Sequence, residues 1–106
     1  MSHVTDIILT TAISDGCIGE TSHPNADKLN EYLSKNYGGW KLVKVDSKAG
    51  GGKVMQCDLF LAAINHLNIP DFLDAFHKVE WESPECTQLM LKDEHDEVFT
   101  VYQVKI

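Results

Sequence analysis

Arginine is absent from this chain of 106 residues, so every strongly basic side chain is a lysine. Without a guanidinium there is no bidentate grip on phosphate or carboxylate, and an anion can meet only lysine point charges and backbone amides. Positive charge is scarce as well: 9 lysines stand against 16 acids, for a formal net charge of −7. That balance argues against direct nucleic-acid binding. Cysteine is sparse, and Cys17, Cys57 and Cys86 form no C-x-x-C pair, which removes a disulfide framework and a zinc knuckle from consideration. No apolar run approaches the roughly 20 residues of a membrane helix. The opening Met1-Ser2-His3-Val4-Thr5-Asp6 lacks the basic start of a secretory signal. Together with reduced thiols, this predicts a cytoplasmic protein. No internal repeat, low-complexity tract or linker divides the chain, so residues 1–106 are expected to form a single domain.

The chain does hold one stretch with the look of a phosphate loop, Ser47-Lys48-Ala49-Gly50-Gly51-Gly52-Lys53, after a strand-like segment. A true phosphate loop needs a glycine five residues before the last one, a Ser or Thr after the lysine, and a helix to follow. Val54 follows the lysine instead, and Val54-Met55-Gln56-Cys57 reads as another strand. The three glycines are therefore read as a flexible hairpin turn requiring positive φ.

Charge is segregated along the chain. Lys41, Lys44, Lys48 and Lys53 cluster around Asp46, whereas Glu80, Glu82, Glu85, Asp93, Glu94, Asp96 and Glu97 crowd a stretch whose one lysine is Lys92. An apolar share of 43% and a charged share of 24% otherwise describe an ordinary globular protein.

The β-branched run Ile7 to Ile13 predicts a strand central in a sheet, and Ser14 to Thr21 a polar loop. Ser22-His23-Pro24 supplies helix-start chemistry, Leu29, Tyr32 and Leu33 recur at helical spacing, and Gly38-Gly39 ends that helix. Trp40 to Asp46 and Val54 to Leu61 read as strands, while residues 62 to 67 fit strand or helix. Asn68-Ile69-Pro70-Asp71 opens a second helix whose apolar stripe is Ile69, Phe72, Leu73, Phe76 and Val79. Thr87 to Leu91 and Val98 to Val104 alternate as strands about a polar hairpin. The order β-α-β-β-α-β-β predicts an α+β domain: a ferredoxin-like β-α-β-β-α-β plait with an additional C-terminal strand, its helices on one face of a mainly antiparallel sheet. The other face would stay open for a ligand, a partner or a second subunit. Such folds host many unrelated activities, so the fold alone names none.

No coherent catalytic set emerges. Cys17 precedes a helix with His23 six residues on, a weak nucleophile-and-base pair. Asp58 lies in an apolar strand, with Lys44 or Lys53 as its expected neutraliser, and Asp58, Gln56 and His66 are candidates to line a pocket on the open face. The five histidines, His3, His23, His66, His77 and His95, show no metal spacing, and neighbours Glu94, His95 and Asp96 alternate faces on a strand, so no metal or cofactor is expected. Trp40, Trp81 and Tyr102 are large aromatic anchors, of which Trp81 at a helix end is the strongest interface candidate. Trp81, Glu82, Asp93, Glu94, Asp96 and Glu97 are the binding residues expected on these grounds. The resulting expectation is a non-enzymatic protein-interaction module of inhibitor or immunity type, binding a protein partner or associating as a homodimer. The alternative is a small-ligand enzyme or sensor with a cleft between the open face and residues 14–22, served by Cys17, His23, Asp58 and His66.

Overall fold

Extended chain rich in β-branched residues stiffens readily into sheet, and the first such run becomes the middle of the molecule. In the computed structural model, which describes residues 3–13 and 24–104, strand β1 (Val4–Thr11) is paired antiparallel along both of its edges. There follow α1 (Pro24–Asn36), β2 (Val43–Lys44), a short 3-10 turn (Asp46–Lys48) and β3 (Asp58–Asn65). Then come α2 (Ile69–Lys78), a second 3-10 turn (Pro84–Cys86), β4 (Gln88–Asp93) and β5 (Thr100–Gln103). The strands form one antiparallel sheet in the order β2-β3-β1-β4-β5. The architecture is α+β, with two helices and a five-stranded antiparallel sheet.

Alternation along the strands decides what the helices cover. Thr5, Ile7, Leu9 and Thr11 of β1 are buried, as are Phe60 and Ile64 of β3 and Leu89 and Leu91 of β4. Ala26, Leu29 and Leu33 of α1 and Phe72 and Phe76 of α2 complete that core. Register makes the layer continuous: Ile7 sits between Ala62 and Leu91, and Leu9 between Phe60 and Leu89.

The helices begin and end where local chemistry dictates. Gly38 and Gly39 take φ of 75° and 94°, the left-handed region that stops α1 without strain. The Asn68 side chain accepts the Asp71 amide at 3.1 Å and caps α2, with Pro70 in the first turn. Two tyrosines of the α1 end fasten the helices together. Tyr32 donates to Asp71 at 2.6 Å, and the Tyr37 hydroxyl accepts the Asn68 amide at 2.8 Å. Burial, and then the Asp71 carboxylate, push the Tyr32 phenol upward in pKa.

Several boundaries depart from the sequence expectation for tertiary reasons. The strand expected over 40–46 contracts to Val43–Lys44. Just before it, the Leu42 amide donates to the Asn30 side chain of α1 at 2.8 Å, so the chain at that point is tied to the helix. The strand expected from Val54 begins instead at Asp58, where Asp46 Oδ1 accepts the Leu59 amide at 3.1 Å and fixes its entry. Val54 is 81% exposed, and the glycine run lies in a long connection rather than a tight hairpin, with φ of 101° at Gly51 and 76° at Gly52. Residues 62–65 are strand, and His66 at φ 59° turns the chain toward α2.

Trp81, expected at an interface, belongs to the core. It is 7% exposed, its Nε1 donates to the Phe76 carbonyl at 3.1 Å, and its ring meets Phe76 with centroids 5.7 Å apart. Trp40 is the exposed tryptophan, at 72%. Acrylamide should accordingly quench two distinct tryptophan populations, and Trp40→Phe should abolish the accessible one. Phe72→Ala, at a fully buried site, should cost about 3–5 kcal/mol in urea unfolding, against a change within about 0.5 kcal/mol for Trp40→Phe.

Candidate functional site

The face of the sheet away from the helices is apolar along one line. Val43 of β2 is opposite Leu61 of β3, Leu61 is opposite Ile8 of β1, Ile8 is opposite Met90 of β4, and Met90 is opposite Val101 of β5. Period-two alternation sends these five side chains to the side opposite Ile7, Phe60 and Leu89. They therefore form a row crossing every strand. Val43, Leu61 and Val101 are 57%, 40% and 53% exposed, while Ile8 and Met90 at the centre are half-buried by their neighbours. Directly beside the row, Asp6 stands next to Lys92 on the adjacent strand. Phe99, half-buried ahead of β5, joins Asp6, Ile8, Leu61 and Ala63 around a shallow open cleft of about 430 Å³.

The residues singled out from sequence are distributed differently. Cys17 and His23 lie outside the described residues. Asp58 is buried at the start of β3, on the Phe60 side, with its carboxylate 3.6 Å from Lys44 Nζ. Lys44 also holds Asp46 at 2.7 Å, and this trio ties the 3-10 turn to the sheet. Gln56 and His66 are exposed, and neither lines the cleft. Asp58 and His66 fall at opposite ends of an extended strand, roughly 20 Å or more apart at about 3.3 Å per residue, so they do not form one site.

The acidic hairpin serves partly as framework. Asp93 accepts from His3 Nε2 at 2.8 Å and Thr5 Oγ1 at 3.0 Å, and Glu94 Oε1 accepts the Val4 amide at 3.4 Å. Asp96 closes the turn through its carboxylate to the Asp93 amide at 3.1 Å and its own amide to the Asp93 carbonyl at 3.0 Å. Glu82 and Glu97 are exposed. His3, Glu94 and His95 are the described residues whose donor atoms converge as metal ligands do, all within 4.8 Å of one another.

Sequence reasoning missed the apolar row and Phe99. The signal was there: Ile7-Ile8-Leu9 is apolar on both parities, the mark of a strand with two dry faces. Among the described residues, no helix is long and apolar enough to cross a membrane. Compared with protein-family models, curated proteins and solved structures, the chain matches none of them.

Among the described residues, Asp46 and Asp93 are the carboxylates held below the ordinary range. Burial opposes ionisation of Asp46, but hydrogen bonds from Lys44 and the Leu59 amide outweigh it and hold the carboxyl below the ordinary range. The Lys44 amine is raised, chiefly by the Asp46 hydrogen bond. Asp93 is lowered chiefly by its bond from His3; desolvation opposes this, and the bond from Thr5 adds to the lowering. Groups that ionise more readily folded than unfolded lend stability that is complete above their unfolded pKa of about 4. It is lost as pH falls through the depressed folded values. Asp46→Asn should therefore flatten the fall in urea midpoint between pH 5 and pH 2, while lowering the midpoint at pH 7.

Proposed function

We propose that this chain is a non-enzymatic interaction protein that packs its uncovered sheet face on another protein surface, a second copy of itself foremost. The row Val43–Leu61–Ile8–Met90–Val101 carries the reading, because it spans all five strands and, among the described residues, no helix lies over it. Five strands at about 4.8 Å and the six-residue depth of the central three at about 3.3 Å bound the face at roughly 24 Å by 20 Å, narrowing at β2 and β5, which have 2 and 4 residues. Its plane area of at most about 480 Å² places it at the small end of specific interfaces, below the ~800 Å² per partner of a standard one. Within that face the apolar line is flanked on β1 and β4 by Asp6 and Lys92 on one side and Thr10 and Gln88 on the other, the apolar-core and polar-rim arrangement of interfaces. Asp6 and Lys92, side by side at its margin, give the face both charge signs, so a two-fold arrangement pairs Asp6 of one copy with Lys92 of the other.

The strand order supports reading the fold as the ferredoxin-like plait: β2-β3-β1-β4 forms the four-stranded unit, and β5 is added at the free edge of β4. A reducing compartment such as the cytoplasm is part of the same proposal, supported by the unpaired thiols of Cys57 and Cys86.

A small-ligand reading has one observation behind it. The cleft beside Phe99, at about 430 Å³, falls within the size range of ligand pockets. That reading requires a monomer that binds an apolar dye at one site per chain and loses it in Phe99→Ala.

For the dimer, light scattering and sedimentation should give twice the chain mass at micromolar concentration. Leu61→Glu with Val101→Glu should weaken association by more than about 100-fold, since carboxylates buried without partners cost several kcal/mol. Thermal unfolding of the isolated variant should remain cooperative. A wild-type chain that stays monomeric at millimolar concentration ends the dimer reading.

A further inference from the structure

At the end of the sheet where β1 begins and β4 ends, three side chains from distant parts of the sequence converge. The antiparallel register sets Thr5 opposite Asp93. Two residues back along β1 and one or two onward past β4, His3 therefore meets Glu94 and His95. One donor atom from each, two imidazole nitrogens and a carboxylate oxygen, lie within 4.8 Å of one another. The rings of His3 and His95 face edge to plane with centroids 6.0 Å apart, and His95 Nε2 is 3.9 Å from Glu94 Oε2.

We propose that His3, Glu94 and His95 form a three-ligand site for a divalent transition metal of the zinc class. Two imidazoles and one carboxylate suit Zn²⁺, Ni²⁺ or Cu²⁺, whereas Ca²⁺ and Mg²⁺ prefer oxygen donors. Tetrahedral ligation at about 2.0–2.1 Å needs donors about 3.3 Å apart. Side-chain rotation of exposed residues closes the remaining gap. The fourth position opens to solvent, because Glu94 and His95 are both exposed. The alternation expected of Glu94, His95 and Asp96 on a strand does not apply, because β4 ends at Asp93 and Glu94 and His95 lie in the turn that follows, where His3, just ahead of β1, meets them.

Two further features set this cluster apart from a chance meeting of surface groups. His3 is fixed by its backbone: its amide donates to Asn65 Oδ1 at 2.9 Å, and its carbonyl accepts the His66 amide at 2.8 Å. Its ring is oriented by a second carboxylate. Nε2 bonds to Asp93 Oδ2 at 2.8 Å, and Thr5 holds the other Asp93 oxygen at 3.0 Å. That leaves Nδ1 of His3 for the ion, in the carboxylate–histidine–metal relation that supports imidazole ligands. Asp93 acts as a positioning residue. The surrounding Asp96 and Glu97, with Lys92 as the nearby base in sequence, give the site a field favourable to a cation.

The test is titration of the untagged, chelator-stripped full chain with Zn²⁺ by calorimetry, and with Co²⁺ by visible absorption. One ion per chain should bind saturably, with a Co²⁺ band of four-coordinate intensity. His3→Gln and His95→Gln should each weaken binding at least about 100-fold and erase that band. Asp93→Asn should weaken it about 10–100-fold, with Asp93→Glu restoring part of the loss, and His77→Gln on α2 should change nothing. His95 is 84% exposed at its side chain, so its replacement leaves the fold intact. Absence of saturable Zn²⁺ binding below millimolar concentration, or an affinity unaltered by His3→Gln and His95→Gln, overturns the proposal.

Discussion

Every layer of this molecule takes its position from β1, whose side chains divide cleanly between two faces. Ile7 and Leu9 are sealed beneath the helices, and Ile8 between them points the other way with Asp6 and Thr10. Because both edges of β1 are paired, the same division is imposed on β3 and β4, and through them on β2 and β5. A slip of one residue would drive Asp6 and Thr10 into the core and bring Ile7 and Leu9 out, so the register is held by the cost of that exchange. Both the covered core and the uncovered apolar row are consequences of this one alternation.

Where local chemistry sufficed, the elements could be read directly. Asn68, Pro70 and the stripe through Phe72 and Phe76 define α2, and Leu29, Leu33 and the glycines after Tyr37 define α1. Opposite charges on neighbouring segments offered Asp58 either Lys44 or Lys53, and the structure pairs it with Lys44. Boundaries set by distant partners were not legible. Asn30 reaches from α1 to the Leu42 backbone where β2 is about to begin, and Asp46 fixes the entry of β3 from 13 positions earlier in the chain. Trp81 shows the same limit, because a tryptophan flanked by two glutamates looks solvent-facing until Phe76 is seen to receive it. His3 was unreadable as a ligand for the plainest reason, its separation from Glu94 and His95 by nearly the whole sequence.

The acidic C-terminal hairpin has a different character in three dimensions than as a string of charges. Asp93, Glu94 and Asp96 spend part of their hydrogen-bonding capacity on the turn and on the start of β1. The charge that attracts a cation is thus built into a rigid corner rather than spread on a mobile surface. That corner lies several residues along β1 from Ile8, so association through the apolar row and ligation at the corner draw on separate side chains. Neither has any need of an arginine, in keeping with a chain that contains none.

The position of β1 at the heart of the sheet also sets a timetable for synthesis. The strand is made before both of the segments that flank it, residues 58–65 and 88–93. On a ribosome, β1 must wait with one edge unmatched until residues 88–93 have followed it, and closure of such remote ladders is slow. An early-made, β-branched ribbon held in that condition is the segment most exposed to wrong pairing between nascent chains, and Asp6, with its charge, is the residue placed to discourage it.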